Sequence, residues 1–318
     1  MMKMRKIIQA RFFIPLTIGI FFLLPFFGPP IYLLSLFLIV FMYAALSESW
    51  NIIGGYTGYL SFGHVAFFGI GAYTTALLLI NYDLSPFLTA PLGGVLATVV
   101  AAGVGFPCLK LRGPYFALVT LCFASIIQVA ILNLEFTGAA IGLWLPLLPY
   151  DMLMIRTIFY EIMFGLMLAT IVVNIWVERS KFGAGLTAIR EDEDVAESIC
   201  INTLKLKLKA FMLSAFFSGV IGGVYSYYIT FIHPSTIFSV EISILMVLMA
   251  LFGGRGTWGG PILGASLLTI VDQLLTIYIG AEIARVIFGM LFIFVTLFMP
   301  NGLVPHMKTH LTRFSSLK

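Results

Sequence analysis

Hydrophobic positions along the chain gather into ten runs, near 12–28, 31–47, 62–80, 87–106, 115–133, 157–177, 210–230, 241–253, 259–279 and 284–299. A helix needs about 20 apolar residues to cross the hydrocarbon core of a bilayer, and most of these runs approach that length. The pattern predicts an all-α protein: one polytopic transmembrane helical bundle of about ten spans over residues 1–318. Pro15, Pro25 and Pro91 fall inside runs and predict kinks, since neighbouring helices can re-satisfy the freed backbone groups. The start, MMKMRKIIQARFF, lacks a small-residue cleavage site and is followed at once by two runs. It therefore reads as a retained first helix rather than a signal peptide.

Composition agrees with the pattern: 60% of the 318 residues are hydrophobic and only 10% are charged, far from the balance of a soluble domain. Where the charges sit matters more than the net +4, which carries no message about nucleic acid. With the N-terminus on the cytoplasmic side, all but Arg156 and Arg285 of the 18 basic residues fall on that side. This is the positive-inside bias, and it puts both termini and the connection 178–209 in the cytoplasm. Cys108, Cys122 and Cys200 show neither disulfide nor metal spacing and read as reduced thiols.

The connection 178–209 is unusual in such an oily chain. Five of the 14 acids crowd into it, at Glu191, Asp192, Glu193, Asp194 and Glu197, and Lys205, Lys207 and Lys209 follow. On a helix, Leu186, Ile189, Ala196 and Ile199 recur at three-, four- and seven-residue intervals and share one face. Two arrangements follow. Either the charges merely keep a solvated loop out of the membrane, or a short docking helix lies parallel to the membrane against a partner. Helix formers and an apolar stripe distinguish this segment from a plain linker.

Motifs for chemistry are missing. No G-x-x-x-x-G-K-[ST] occurs, so the chain has no P-loop of its own, and no H-E-x-x-H occurs either. His64, His233, His306 and His310 are too scattered for a zinc site, and no nucleophile–base spacing is present. No catalytic residue, metal site or cofactor site is expected, which argues against an intramembrane enzyme. A transporter without its own energy source is driven by a partner or by a gradient. Gradient-driven transporters place ionisable groups at mid-membrane. Here Asp272 is the one acid well inside a run, with Glu48 and Glu161 nearer run ends, so an external drive is expected.

Small residues mark helix contacts. Ala66, Gly69, Ala72 and Ala76 form one face, and Gly219 and Gly223 form G-x-x-x-G; both allow backbones to approach closely in lipid. The Gly-rich stretches NIIGGYTGYLSFGH (51–64) and FGGRGTWGGP (252–261) are either re-entrant elements lining a cavity or tight interhelical turns. In the first case Tyr56, Ser61 and His64 would present polar groups along a substrate path. Asp272 could meet the ammonium of a cargo or hydrogen-bond a neighbouring helix. Glu282 and Arg285 are expected to form an exposed ion pair of little weight.

The stretch KFGAGLTAIREDEDVAESICINTLKLKLKAFMLSAFFSGVIGGVY (181–225) resembles the cytoplasmic loop and following helix of branched-chain amino-acid ABC importer permeases, LivM-type subunits above all. GGYTGYLSFGHVAFFGIGAYTTALL (54–78), LRGPYFALVTLCFASIIQ (111–128), LFGGRGTWGGPILGASLL (251–268) and LFMPNGLV (297–304) are similar to the family in the same order. The resemblance implies a permease in a bacterial-type inner membrane. Its coupling helix, here Gly183, Leu186, Ile189, Arg190, Glu191, Asp192, Glu193, Asp194, Ala196 and Glu197, would dock on a cytoplasmic ATPase. It further implies a second homologous permease subunit, two ATPases that hold the ATP and Mg, and a solute-binding protein docking on outer loops 134–156 and 231–241. Several positions depart from the family. Ser125 and Gln128 stand where a Glu-Ile-Ile-Arg pattern has charges, Ala139 where T-G-G-x-x-G-L has glycine, Asp194 for an apolar residue and Cys200 for a glycine. The first two changes leave urea and short amides open as cargo beside branched-chain amino acids. A stand-alone channel or secondary transporter is the alternative of another class.

Overall fold

The computed structural model describes residues 18–146, 149–298 and 302–303. Among them, nine helices are long and apolar enough to cross a membrane: α2 (Ile31–Thr57), α3 (His64–Tyr82), α4 (Pro86–Cys108), α5 (Pro114–Asn133), α6 (Met152–Arg179), α9 (Thr203–Ile229), α10 with α11 (Pro234–Gly253), α12 (Gly260–Tyr278) and α13 (Ala281–Phe298). A shorter apolar helix, α1 (Ile18–Phe27), precedes them. The ten runs thus correspond to ten helical segments. Residues 12–17 of the first run lie outside the described residues, as do Pro15 and both termini.

Helices outlast the runs that announce them. Expected over 31–47, α2 continues to Thr57, and α9 begins at Thr203 rather than near 210. Polar residues and a Gly pair do not break a helix whose backbone stays paired and buried, so hydropathy marks the lipid-depth part only. One correction follows. Glu48 and Glu161 lie within α2 and α6, not near span ends, and Glu48 is fully buried with neither carboxylate oxygen bonded by a described group.

Helix α9 runs against α3 and α4 at the centre, and glycine sets the spacing. A Cβ added to Gly71 would sit 1.9 Å from the carbonyl oxygen of Gly219, and one on Gly222 would sit 2.0 Å from that of Phe68. The α3–α9 contact is therefore backbone on backbone, the arrangement that small residues permit where lipid supplies no hydrophobic drive. Ala66, Ala72 and Ala76 are fully buried, Gly69 faces the Phe238 ring, and Gly219 and Gly223 face Gly94 and Ala90 of α4.

Connections sort into two ends. One end holds the links 58–63, 109–113, 180–202 and 254–259, with every described basic residue except Arg156 and Arg285. We call it the basic end. At the opposite end, strands β1 (Leu143–Trp144) and β2 (Phe231–Ile232) pair antiparallel, and His233 Nε2 bonds the Ala140 carbonyl at 3.0 Å. The two loops expected to receive a binding protein are thereby joined.

Candidate functional site

The acidic segment forms two helices rather than one. Ser180 caps α7 (Lys181–Glu191), its Oγ accepting from Gly183 N at 3.1 Å. Asp192 is extended, ends α7 and caps α8 (Glu193–Ser198), its Oδ1 accepting from Asp194 N at 2.9 Å and Val195 N at 3.1 Å. A side-chain oxygen that satisfies the first free N–H groups of a helix favours starting a new one there.

The elbow alters the expected apolar face. Leu186, Ile189 and Ala196 are buried, but Ile199 lies beyond α8 and is 64% exposed. The buried face also packs inward, on α2, α6 and α9 of the same chain, and a Cβ on Gly183 would sit 1.9 Å from the Val177 carbonyl oxygen. A stripe spent on the chain's own helices is not open to a partner. What faces outward is acidic: the side chains of Glu191 and Asp194 are 72% and 76% exposed, beside exposed Asp192 and Glu197.

Glu193 is the exception among the acids. Its side chain is only 12% exposed, and it accepts from Lys207 Nζ (2.5 Å) and from the Tyr59 hydroxyl (2.5 Å). Lys207, 3% exposed, also donates to the Tyr59 oxygen at 2.9 Å and the Leu109 carbonyl at 3.0 Å, so all three of its N–H bonds are used. Arg112 adds a 2.7 Å bond to Asp194. One carboxylate thereby ties α8 to α9 and to the links 58–63 and 109–113. Burial pushes the Glu193 carboxyl up, but the bonds from Lys207 and Tyr59 and the charges of Lys207 and Arg112 outweigh it and hold the group below the usual carboxylate range. Lys205 and Lys209 sit one turn apart on the exposed face of α9, while Lys207, about 200° round, points inward.

A second junction lies beside it. Arg190 Nη1 donates to the Gly55 carbonyl at 3.1 Å. Fully buried Asn51 donates from Nδ2 to Thr257 O (3.1 Å) and Asn174 Oδ1 (3.2 Å), and its Oδ1 accepts from Gly256 N (2.8 Å). The two Gly-rich stretches are therefore helix ends joined by short turns, and they bond to each other. Asn51, Tyr59, Asn174 and Lys207 were not among the expected site residues. The signal that was available is a carboxamide within an apolar run and a lysine out of phase with its neighbours.

The expected path residues are turned inward. Tyr56 donates to the Asn174 carbonyl at 3.2 Å; His64 lies between Ser61 Oγ (3.2 Å) and Ser214 Oγ (3.1 Å), and Ser61 and His64 are fully buried. All three spend their polar groups on the protein, not on a lumen. Asp272 borders a cavity of about 250 Å³ at the opposite end, with Glu241, Leu245, Arg285 and Phe288. Arg285 bonds Glu241, in the first turn of α11 (Val240–Gly253), at 3.1 Å and not Glu282, so the expected pair within α13 is replaced.

Two departures from the family pattern acquire a physical cost. Ala139 (φ 43°) and Cys200 (φ 62°), two positions where the resemblance implies glycine, both occupy the left-handed backbone region. That region costs an L side chain about 1 kcal/mol and costs glycine nothing.

Comparison with known proteins follows the same line. The model of the branched-chain amino acid transport system / permease component family matches residues 32–296. The LivM permease protein of the high-affinity branched-chain amino acid transport system of Escherichia coli K12 is 30% identical over 295 residues, covering 83% of this chain and 68% of its own. A probable LivM of Methanocaldococcus jannaschii is 26% identical over 86% of this chain and 93% of its own, and E. coli LivH is 24% identical over 82% and 91%. No solved structure matches. A multi-pass helical bundle, ordered motifs throughout and a family match over most of its length lead to one conclusion: the chain belongs to the permease-component family of branched-chain amino acid transport systems.

Proposed function

We propose that this permease subunit forms half of the membrane path of an ATP-driven importer for branched-chain or related amino acids. Its basic end faces the cytoplasm in this reading, supported by the segregation of Lys110, Arg112, Lys181, Lys205, Lys209 and Arg255 to that end. In this reading a second, LivH-like permease completes the path, two ATPases supply the force, and a solute-binding protein docks on the joined β1–β2 loops. The exposed acids of α7 and α8 meet the ATPase, while Glu193 and Lys207 transmit its movement to α9. The single observation that carries the reading is that clamp. It makes a surface helix pair one rigid piece with the central helix and two neighbouring links, which a free charged loop would not be. ATP shifts the equilibrium by binding the two arrangements differently, and small-residue seams such as Gly71–Gly219 let helices shift between them.

The test is reconstitution in liposomes with a LivH-type partner, both ATPases and binding protein. Reversing Glu191 and Asp194 to Lys is expected to lower binding-protein-stimulated ATP hydrolysis and leucine uptake at least tenfold, with membrane insertion unchanged. Uptake by this chain alone, or full coupling in the double reversal, would overturn the reading.

A further inference from the structure

Arg156 stands at the end of the bundle opposite the basic end. No described carboxylate lies within 4 Å of it, whereas Arg285, its one basic companion at that end, has Glu241. The Nε of Arg156 is buried and has no described acceptor. The guanidinium carbon lies over the Tyr228 ring instead, 4.5 Å from its centre, in cation–π contact. A ring face accepts no N–H bond, so this contact leaves the Nε donor unsatisfied. Arg156 lines a cavity of about 360 Å³ between the first turns of α6 and the last turn of α9, with Ile155, Phe159, Tyr227, Ile229 and Thr230 around it.

Three physical features converge on one ligand chemistry. A buried donor without an acceptor is costly, and a guanidinium fork matches a carboxylate with two parallel bonds. Apart from Thr230, the other lining side chains are aliphatic or aromatic, which suits an anion that carries an aliphatic portion. Ile229 and Thr230 bring the C-terminal end of α9, whose aligned carbonyls bear partial negative charge and favour a cation. We infer that this cavity binds an aliphatic α-amino acid, with its carboxylate on Arg156, its ammonium toward the end of α9 and its side chain against Ile155 and Phe159. The inference rests on the proposed amino-acid cargo and gives it a stopping point on the side where it would enter. An anionic phospholipid headgroup shares the same carboxylate-like demand for the guanidinium, and the test separates the two sources.

The purified chain in phosphatidylcholine nanodiscs is titrated with leucine, isovalerate and leucinol, followed by saturation-transfer NMR. Leucine and isovalerate are expected to bind and leucinol, which lacks the carboxylate, to bind at least tenfold more weakly. Arg156→Gln should lose isovalerate binding at least tenfold, and Arg156→Lys should retain part of it by keeping the charge without the fork. The ligand series on the unaltered chain does not depend on either variant folding. Equal binding of leucinol and isovalerate, unchanged binding by a folded Arg156→Gln, or loss of isovalerate binding when phosphatidylglycerol is added would each overturn the site. Leucine uptake by the complete reconstituted importer is measured beside it: uptake intact with no carboxylate binding sinks this inference alone, and absent uptake with binding present sinks the transport reading instead.

Discussion

Two hydrogen-bonded ion pairs stand at opposite ends of the bundle. At the basic end, Lys207 and Glu193 are 3% and 12% exposed, and Tyr59 and the Leu109 carbonyl take up the remaining bonds. At the other, Arg285 and Glu241 are 62% and 46% exposed and share a single bond. The chemistry is alike and the consequences are not. In water an ion pair replaces good hydration with slightly better contact; out of water each partner is the main reason the other can stay charged. The buried pair thus acts as a fastener between segments, and the exposed pair is a surface detail.

Breaking the buried pair gives the largest effect. Lys207→Met or Glu193→Gln strands one charge and is expected to destabilise the purified protein by about 3 kcal/mol, with the exchange Glu193→Lys plus Lys207→Glu recovering part of it. Denaturant unfolding of the chain in detergent measures this; a loss below about 1 kcal/mol would make the fastener an ordinary surface contact. The pH dependence has a definite sign. Since Glu193 is held below the usual carboxylate range, its contribution is complete above the unfolded value of about 4.3 and disappears as pH falls through the lower folded value. The stability gap between the native chain and Glu193→Gln should therefore stay level from mildly acidic to neutral pH and narrow only in stronger acid.

Strain in the turn between α8 and α9 sharpens the comparison from the other side. Cys200, just past α8, holds a positive φ that glycine adopts freely, so Cys200→Gly should stabilise the chain by about 1 kcal/mol if the fastener alone sets the geometry. Thermal melting decides it, and a destabilised Cys200→Gly would mean the thiol makes a contact that matters. The smallest effect belongs to the exposed pair: Glu241→Gln should cost less than about 1 kcal/mol and lose even that in high salt. A larger, salt-independent loss would erase the contrast between the two ends.

Legibility followed the solvent. Span number was plain because lipid demands about 20 apolar residues of each crossing helix. Span ends were less plain, because Ser47, Glu48 and Asn51 are polar by composition yet sit fully buried in α2. The acidic segment announced itself by charge, and its helical character by periodicity. That Leu186 and Ile189 face the chain's own helices was not written there, since an apolar stripe is the same whether it awaits a partner or already has one.

By itself the sequence determined the helical bundle, its family, the segregation of basic residues and the close-packing role of small residues, all of which follow from the bilayer as solvent and from local spacing. Only the tertiary structure decided which of the five crowded acids is a fastener and which face outward, that His64 and Ser61 are buried and bonded to each other, and that no described carboxylate meets Arg156. Those outcomes depend on distances between residues far apart in the chain: Glu193 meets Tyr59 across 134 positions, a separation that no local pattern encodes.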